Sequence, residues 1–467
     1  MGGKIAMCSH AFLNQFLHYL DLASHVFKDS RSREHVREMG VAGIAASMPK
    51  TITSLVEFNG IYGNPKLNHD NWSASYRLLS TGKWKLQELS WTLLDMALAF
   101  TCKDACLFFA VDDTLMRKTG RRIPGCSYAR DPLSPPFQTN LIWGQRVICV
   151  SILIRSSCTS SYRSIPIFFL HIPTVKISSH ASQEERETLI ELQKKSRMSV
   201  AGRDLVNEIR RHLDAIGQGG RKMVICGDGS FANRAFMENP PHDTAMVCRC
   251  RSDLALFRPL SKEERKGKRL YGERLRTPAE LGGDRSEPST RLECGIMHQH
   301  AIIEYKSMNN VRWKTVLKKQ PCSVLAIRGQ FYSKYGRRNR TEPAYLVMTG
   351  DIAVDTAGDD LCIKLDLLCE CYLLRWEIEV GFRDQKNWLG IGKAQVRNQT
   401  SVKRTPAFMS ACYSMLLMAS MKVFDDKRTA DFKKLPKWRN VAPLRPSIRD
   451  MVELLKREIC KVGSTAA

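Results

Sequence analysis

Apolar and polar positions alternate in two rhythms along this chain. Up to about residue 95 the apolar side chains recur at helical spacing, with Phe12, Phe16, Leu17 and Leu20 early and Leu86, Leu89, Leu93 and Leu94 later. A helical segment is predicted there, interrupted at Pro49 and by a turn over Gly60–Pro65. Between these lie Trp72, Tyr76 and Trp84, mixed with Arg77, Lys83 and Lys85. That mixture suits a small helical DNA-binding module or an ordinary helical domain with buried tryptophans, and no helix-turn-helix pattern decides between them. From residue 104 the rhythm changes. Ala105 to Val111 reads as a short buried strand with Asp112, Asp113 and Thr114 at its C-terminal tip. A basic loop (118–125), strands over 146–155 and 165–172 and a mixed-charge helical stretch (183–216) follow. Met223 to Cys226 is a second buried strand, running into Gly227, Asp228 and Gly229. Strands alternating with helices predict an α/β sheet, where ligand groups gather at the carboxyl ends of strands.

Residues 246–258 resemble a further strand, and 259–294 are rich in charge and glycine. Strand-like segments return at 301–305, 315–317, 323–327 and 345–348, so about 260 to 340 reads as β-rich. A long helix is predicted from Asp359 to about Trp388, with more helix at 407–424 and 447–461. At roughly 150 residues per domain, 467 residues suggest about three domains. The predicted divisions are a helical segment 1–98, an α/β core in two parts (99–258 and 343–425), a β-rich insertion 259–342 and a helical tail 426–467.

Composition narrows the partners. Lys and Arg number 72 against 47 Asp and Glu, a net charge of +25 spread along the whole chain. Such a surplus points to an anionic polymer, of which nucleic acid is the commonest. No apolar run approaches the roughly 18 residues of a membrane span; the longest, Val147 to Ile154, contains Ser151. The first residues lack a hydrophobic signal core, and Ala6 stands where a myristoylation motif needs Ser or Thr. Sixteen cysteines then read as reduced thiols in a cytosolic compartment. The close pairs Cys248/Cys250 and Cys369/Cys371 lack zinc-clip spacing, and His298 and His300 have no cysteines at finger spacing. A structural zinc is not expected.

The segment from Tyr372 to Lys386 carries the most chemistry. On a helix Tyr372, Arg375, Glu379 and Lys386 fall on one stripe, with Phe382 filling it and Leu374, Ile378 and Leu389 on an apolar stripe beside it. Alone, Arg375–Glu379 and Glu379–Arg383 could be ordinary exposed i,i+4 pairs worth about 0.3–0.5 kcal/mol. Asp113 and Asp228 could each be a turn or cap residue, and Asp228-Gly229 is a good turn pair. Together, Asp113, Asp228 and Glu379 suggest a hard-cation site. Mg²⁺ prefers oxygen ligands and is commonly held by a few carboxylates plus substrate phosphate. Two such ions can activate a water or 3′-hydroxyl and stabilise the leaving oxygen of an in-line phosphoryl transfer. Arg375, Arg383 and Lys386 would clamp DNA phosphates beside them.

The spacing of Tyr372, Arg375, Glu379 and Lys386 resembles the Tyr-Arg-Glu-Lys signature of DDE transposases of the IS-four type, the group containing the Tn-five and Tn-ten enzymes. Val111-Asp112-Asp113-Thr114 resembles that family's first acidic motif, in which the acid directly before Thr is catalytic. Cys226 to Asn233 resembles the second, followed by Arg249, Arg251 and Asp253 in a strand typical of many relatives. The resemblance covers roughly residues 100 to 420 and is strong at the three motifs.

The resemblance implies an RNase H-like catalytic core, interrupted by the β-rich insertion between Asp228 and Glu379, with a helical N-terminal domain and a helical C-terminal part. It also implies Mg²⁺-dependent cut-and-paste transposition, with two metal ions (Mn²⁺ substituting) held by Asp113, Asp228 and Glu379. Tyr372, Arg375, Arg383 and Lys386 would contact double-stranded DNA, both transposon ends and target. The N-terminal domain would contribute end recognition, in a homodimer formed on the DNA. The protein would be cytoplasmic, bacterial and nucleoid-associated, with no membrane partner. Asp112 and Asp113 point to opposite faces of a strand; the family position selects Asp113. Glu377 is set aside because it lies off the stripe. Trp313, Phe331 and Tyr332 are candidates to stack on a flipped base, with core packing as the competing role. The alternatives are an RNase H-fold nuclease without strand transfer and a transposase-derived DNA-binding protein without catalysis.

Overall fold

The computed structural model describes residues 10–62, 72–131, 134–135, 137–156, 162–175, 177–261, 263–264, 270–296, 299–329, 331–334, 337–352, 363–439 and 443–465. The N-terminal helices are α1 (Ala11–Ala23), α2 (Ser30–Ala45), α3 (Ile52–Tyr62), α4 (Trp72–Ser80) and α5 (Leu86–Leu98). The helical spacing read from the sequence has its physical counterpart: Phe12, Phe16 and Leu20 of α1 and Leu89, Leu93 and Leu94 of α5 are buried. The Asp29 carboxylate caps α2 by accepting the Ser32 amide. Trp84 is buried, donates its indole N–H to the Leu78 carbonyl and carries the Arg404 guanidinium over its ring, whereas Trp72 is exposed. Residues 63–65 of the predicted turn lie outside the described residues.

The sheet is organised around β1 (Leu107–Arg117). It is followed by β2 (Ser127–Arg130), β3 (Leu141–Arg155), β4 (Tyr162–His171), α6 (Gln183–Lys195), α7 (Met198–Ala215), β5 (Met223–Gly227), α8 (Arg234–Met237) and β6 (Thr244–Arg249). β1 pairs antiparallel with β3 and parallel with β5, β5 pairs parallel with β6, and β4 lies antiparallel on β3. Two expectations shift here. Asp112 and Asp113 lie inside β1 rather than at its tip, because β3 keeps pairing with it out to Arg117, past the last β5 partner at Val111. The single strand expected over 246–258 is two, β6 and β7 (Leu256–Pro259).

The region beyond is β-rich, as predicted. It contains β8 (Tyr271–Arg274), α9 (Pro278–Gly283), β9 (Thr290–Ile296), β10 (Gln299–Trp313), β11 (Cys322–Ile327), β12 (Phe331–Lys334) and β13 (Arg337–Arg340), and β14 (Ala344–Gly350) follows. Its main strands join the same sheet. The order is β2-β3-β1-β5-β6-β14-β11-β10-β7-β8, with β4 on β3 and β9 on β10, twelve strands among the described residues; β12 and β13 form a separate hairpin. Thr315 and Val316, expected in a strand, form a turn after β10. In the basic stretches 262–276 and 334–340, residues 262, 265–269 and 335–336 lie outside the described residues, as do the side chains of 331–340.

The chain closes with α10 (Leu365–Leu374), α11 (Trp376–Trp388), α12 (Gln399–Phe424) and α13 (Ile448–Thr465). The one long helix expected from 359 is two helices interrupted at Arg375, and 359–362 lie outside the described residues. α12 is long and apolar enough to cross a membrane by composition, with a mean hydropathy of 1.4 over its best window. That window is 78% buried inside the fold, and the Ser414 hydroxyl donates to the Pro166 carbonyl of β4 at 2.6 Å. α13 folds back to the N-terminus, where Glu458 Oε2 accepts the Leu13 amide, one of the unpaired donors of the first turn of α1. A continuous apolar core thus runs from α1 through the sheet to α12 and α13. Cysteines among the described residues are free thiols.

Candidate active site

Side chains alternate across a strand, so neighbours on β1 face opposite ways. Thr114 and Asp112 share the face covered by α10 and α11: Lys386 Nζ donates to Thr114 Oγ1 at 2.6 Å, and Arg375 Nη1 donates to Asp112 Oδ2 at 2.9 Å. The same guanidinium reaches Glu379 through Nη2, 2.8 Å from Oε1. Arg375 therefore bridges an acid of the sheet and an acid of the helix. Asp113 turns the other way. Its Oδ2 takes Nε and Nη2 of Arg146, at 3.1 and 2.8 Å, from the neighbouring β3.

Asp228 is the first residue beyond β5. Since Val111 pairs with Gly227 in parallel register, Asp228 emerges alongside Asp112. Its Oδ1 accepts the amide and hydroxyl of Ser230, at 2.9 and 2.6 Å, which holds the turn. All of these groups line one cleft of about 850 Å³: Asp112, Asp113, Asp228 and Glu379, with Tyr372, Arg375, Phe382 and Lys386 along the helix side. The predicted stripe survives the helix break because Arg375 keeps right-handed helical dihedrals, φ −52° and ψ −32°. Leu374, Ile378 and Leu389 are buried beside it. Arg383 is not among the cleft residues. It is exposed, 3.5 Å from Asp384. Glu377, off the stripe, is held by Arg445 Nη2 at 2.9 and 3.1 Å.

Burial governs the electrostatics of the cleft. Asp112 is 9% exposed, and burial pushes its carboxyl up to about 7; Arg375 opposes the rise while Asp228 and Asp113 add to it. Burial also works against charge on Arg375, but Asp112, Tyr372 and Glu379 hold its guanidinium above the ordinary value. Burial raises the Tyr372 phenol and lowers the Lys386 ammonium. In kind, Asp112, Asp228 and Glu379 are the hard oxygen donors that a divalent ion prefers. In the arrangement seen, the cation between Asp112 and Glu379 is Arg375. Among the described residues, no group of three or more His, Cys, Asp or Glu side chains converges closely enough to hold a metal.

The helix stripe and Asp228, both predicted from the sequence, line the cleft; the rim was not predicted. Arg117, Arg130, Arg146 and Arg249 all border the cleft. Arg249 was visible only as part of the Arg249-x-Arg251-x-Asp253 pattern, whose other two members pair with each other on the exposed surface at 2.7 Å. Arg146 is brought in by the pairing of β3 with β1, which spacing along the chain does not disclose. Trp313 is buried in the core, while the side chains of Phe331 and Tyr332 lie outside the described residues. The chain matches no protein-family model and no curated protein.

Proposed function

We propose that this protein is a DNA transposase performing metal-dependent phosphoryl transfer at the ends of its own element. One observation carries the reading. Acids from three distant parts of the chain, Asp112, Asp228 and Glu379, line a single cleft together with Tyr372, Arg375 and Lys386. The run β4-β3-β1-β5-β6, antiparallel on one side of β1 and parallel on the other, supports an RNase H-like core. The β-rich stretch between Asp228 and Glu379 supports an insertion at that point of the core.

The first carboxylate is assigned to Asp112, since its side chain faces Glu379 and Asp228 while that of Asp113 is turned to Arg146. Asp112, Asp228 and Glu379 would hold Mg²⁺, which when bound supplies activation of a water or 3′-hydroxyl and stabilisation of the leaving oxygen. The chain's own cations then do the positioning. Lys386 and Arg375 hold the reacting phosphate from the helix side, and Arg117, Arg130 and Arg249 take the backbone at the rim. Arg383, on the exposed face of α11, would reach DNA only outside the cleft.

The test is cleavage of duplex DNA bearing the element's ends by the purified protein with Mg²⁺, then joining to a supplied target plasmid. Asp228→Ala should abolish both steps. Equal activity in that variant would sink the assignment. Cleavage without joined products would indicate a nuclease of the same core.

A further inference from the structure

We infer that Arg375 is the resident cation of the cleft and that a DNA phosphate releases it, so that divalent-ion and DNA binding are coupled through this one side chain. The inference rests on the phosphoryl-transfer reading of the cleft and adds an order of events to it.

A guanidinium cannot shed its proton, so Asp112 and Glu379 become available to another cation only if Arg375 moves. In the structure it bridges them at 2.9 and 2.8 Å, with only 14% of its side chain exposed. A divalent ion entering beside it would meet a fixed like charge as well as two occupied carboxylates. Two features suit Arg375 to leave. It stands at the interruption between α10 and α11, where its amide bonds to the Tyr372 carbonyl and its carbonyl to the Ile378 amide, a tighter pattern than the flanking helices. Its Nε is buried without a hydrogen-bond partner, leaving an unused donor on one edge of the planar fork. Phosphate takes such a fork through two parallel bonds and replaces the carboxylates as counter-charge. The Tyr372 ring, 5.8 Å from the guanidinium carbon, keeps the side chain within reach of the cleft as it turns.

Without DNA the ion site is thus closed by an internal counter-ion, and DNA opens it. Such coupling is reciprocal: whatever factor DNA adds to ion affinity, the ion adds to DNA affinity. A purely structural Arg375, tying α11 to β1, would show no such factor.

The experiment is Mn²⁺ binding to the full-length protein, followed by electron paramagnetic resonance with and without a mixed-sequence DNA duplex, against a titration of the duplex alone. Wild type should bind Mn²⁺ at least about 5-fold more tightly with the duplex than without it, within the usual range of coupling. Arg375→Gln should bind it tightly without DNA and gain nothing further from the duplex. Arg375→Met, which also removes the charge, gives the same readout should the glutamine variant not fold. Weak, wild-type-like Mn²⁺ binding in a folded Arg375→Gln protein overturns the inference. Glu379→Gln and Asp228→Asn separate the two levels. If both leave Mn²⁺ binding unchanged, the site reading falls and the inference with it. If both weaken it and Arg375 has no effect, the inference alone falls.

Discussion

Behind α11 lies a buried ion pair whose removal has a calculable cost. Arg163 of β4 and Asp426, just past α12, are 6% and 1% exposed in their side chains. Arg163 Nε donates to both Asp426 oxygens at 2.9 and 2.8 Å, and Nη2 donates to Oδ1 at 2.8 Å and to the Pro446 carbonyl at 2.7 Å. Asp425 and Asp426 both adopt left-handed dihedrals, with φ of 51° and 56°. Asparagine tolerates that conformation, so Asp426→Asn removes the charge without adding backbone strain. What remains is a guanidinium sealed from water with a neutral amide that turns N–H groups toward it. Breaking a buried pair in this way costs about 3–5 kcal/mol, most of it the uncompensated charge. Adding Arg163→Met removes that charge, so the double variant should be less destabilised than the sum of the single ones by about 1–3 kcal/mol. Urea unfolding followed by tryptophan fluorescence, with the slope checked for constancy, measures each corner of the cycle. A loss below about 1 kcal/mol for Asp426→Asn, or strict additivity in the double variant, would refute the argument.

Other measurements bear on the cleft and the core. Asp112→Asn should lower DNA cleavage by more than the roughly 10–100-fold that loss of an outer partner costs a metal site, while Asp113→Asn stays within that range; the opposite ranking would restore Asp113 as the first carboxylate. Arg249→Ala should weaken duplex binding across all sequences and reduce the salt slope of the binding constant by about 1, read by fluorescence anisotropy over a salt series. Lys50 is buried and donates to the Gly43 and Ile44 carbonyls, and burial lowers its ammonium to about 7. Between pH 7 and 10 the unfolded chain therefore holds the extra proton, so wild-type stability should rise with pH by up to about 1.36 kcal/mol per unit relative to Lys50→Met. Parallel pH profiles for the two proteins would exclude that titration.

The parts of the site that could be read along the chain are those set by local periodicity. Tyr372, Arg375, Glu379, Phe382 and Lys386 reach one wall of the cleft because helical spacing alone dictates it, and the interruption at Arg375 leaves the stripe in phase. Asp228 was legible because an apolar run ends in a turn there. Which of Asp112 and Asp113 faces the helix was not. Phe108, Phe109, Ala110 and Val111 are all buried, so β1 shows no alternation of polarity that would tell its two faces apart. Arg146 and the joining of β14 to β6 depend on which strands pair, a property of the assembled sheet. The long helix was misjudged for a related reason: nothing in Leu374-Arg375-Trp376 marks a break, with neither Gly nor Pro present.

The centre of the molecule is built on α12, which is apolar enough for a lipid bilayer yet is shielded on nearly every side by other helices and by β4. Its safety depends on its neighbours staying in place. Any excursion that peels α1 or α13 away uncovers a long greasy rod, which in a crowded cell would be seized by chaperones or by another copy of the chain before it could repack. Heat inactivation should therefore depend on scan rate and protein concentration, and damaging substitutions around α12 should show themselves first as lower yield rather than as slower turnover.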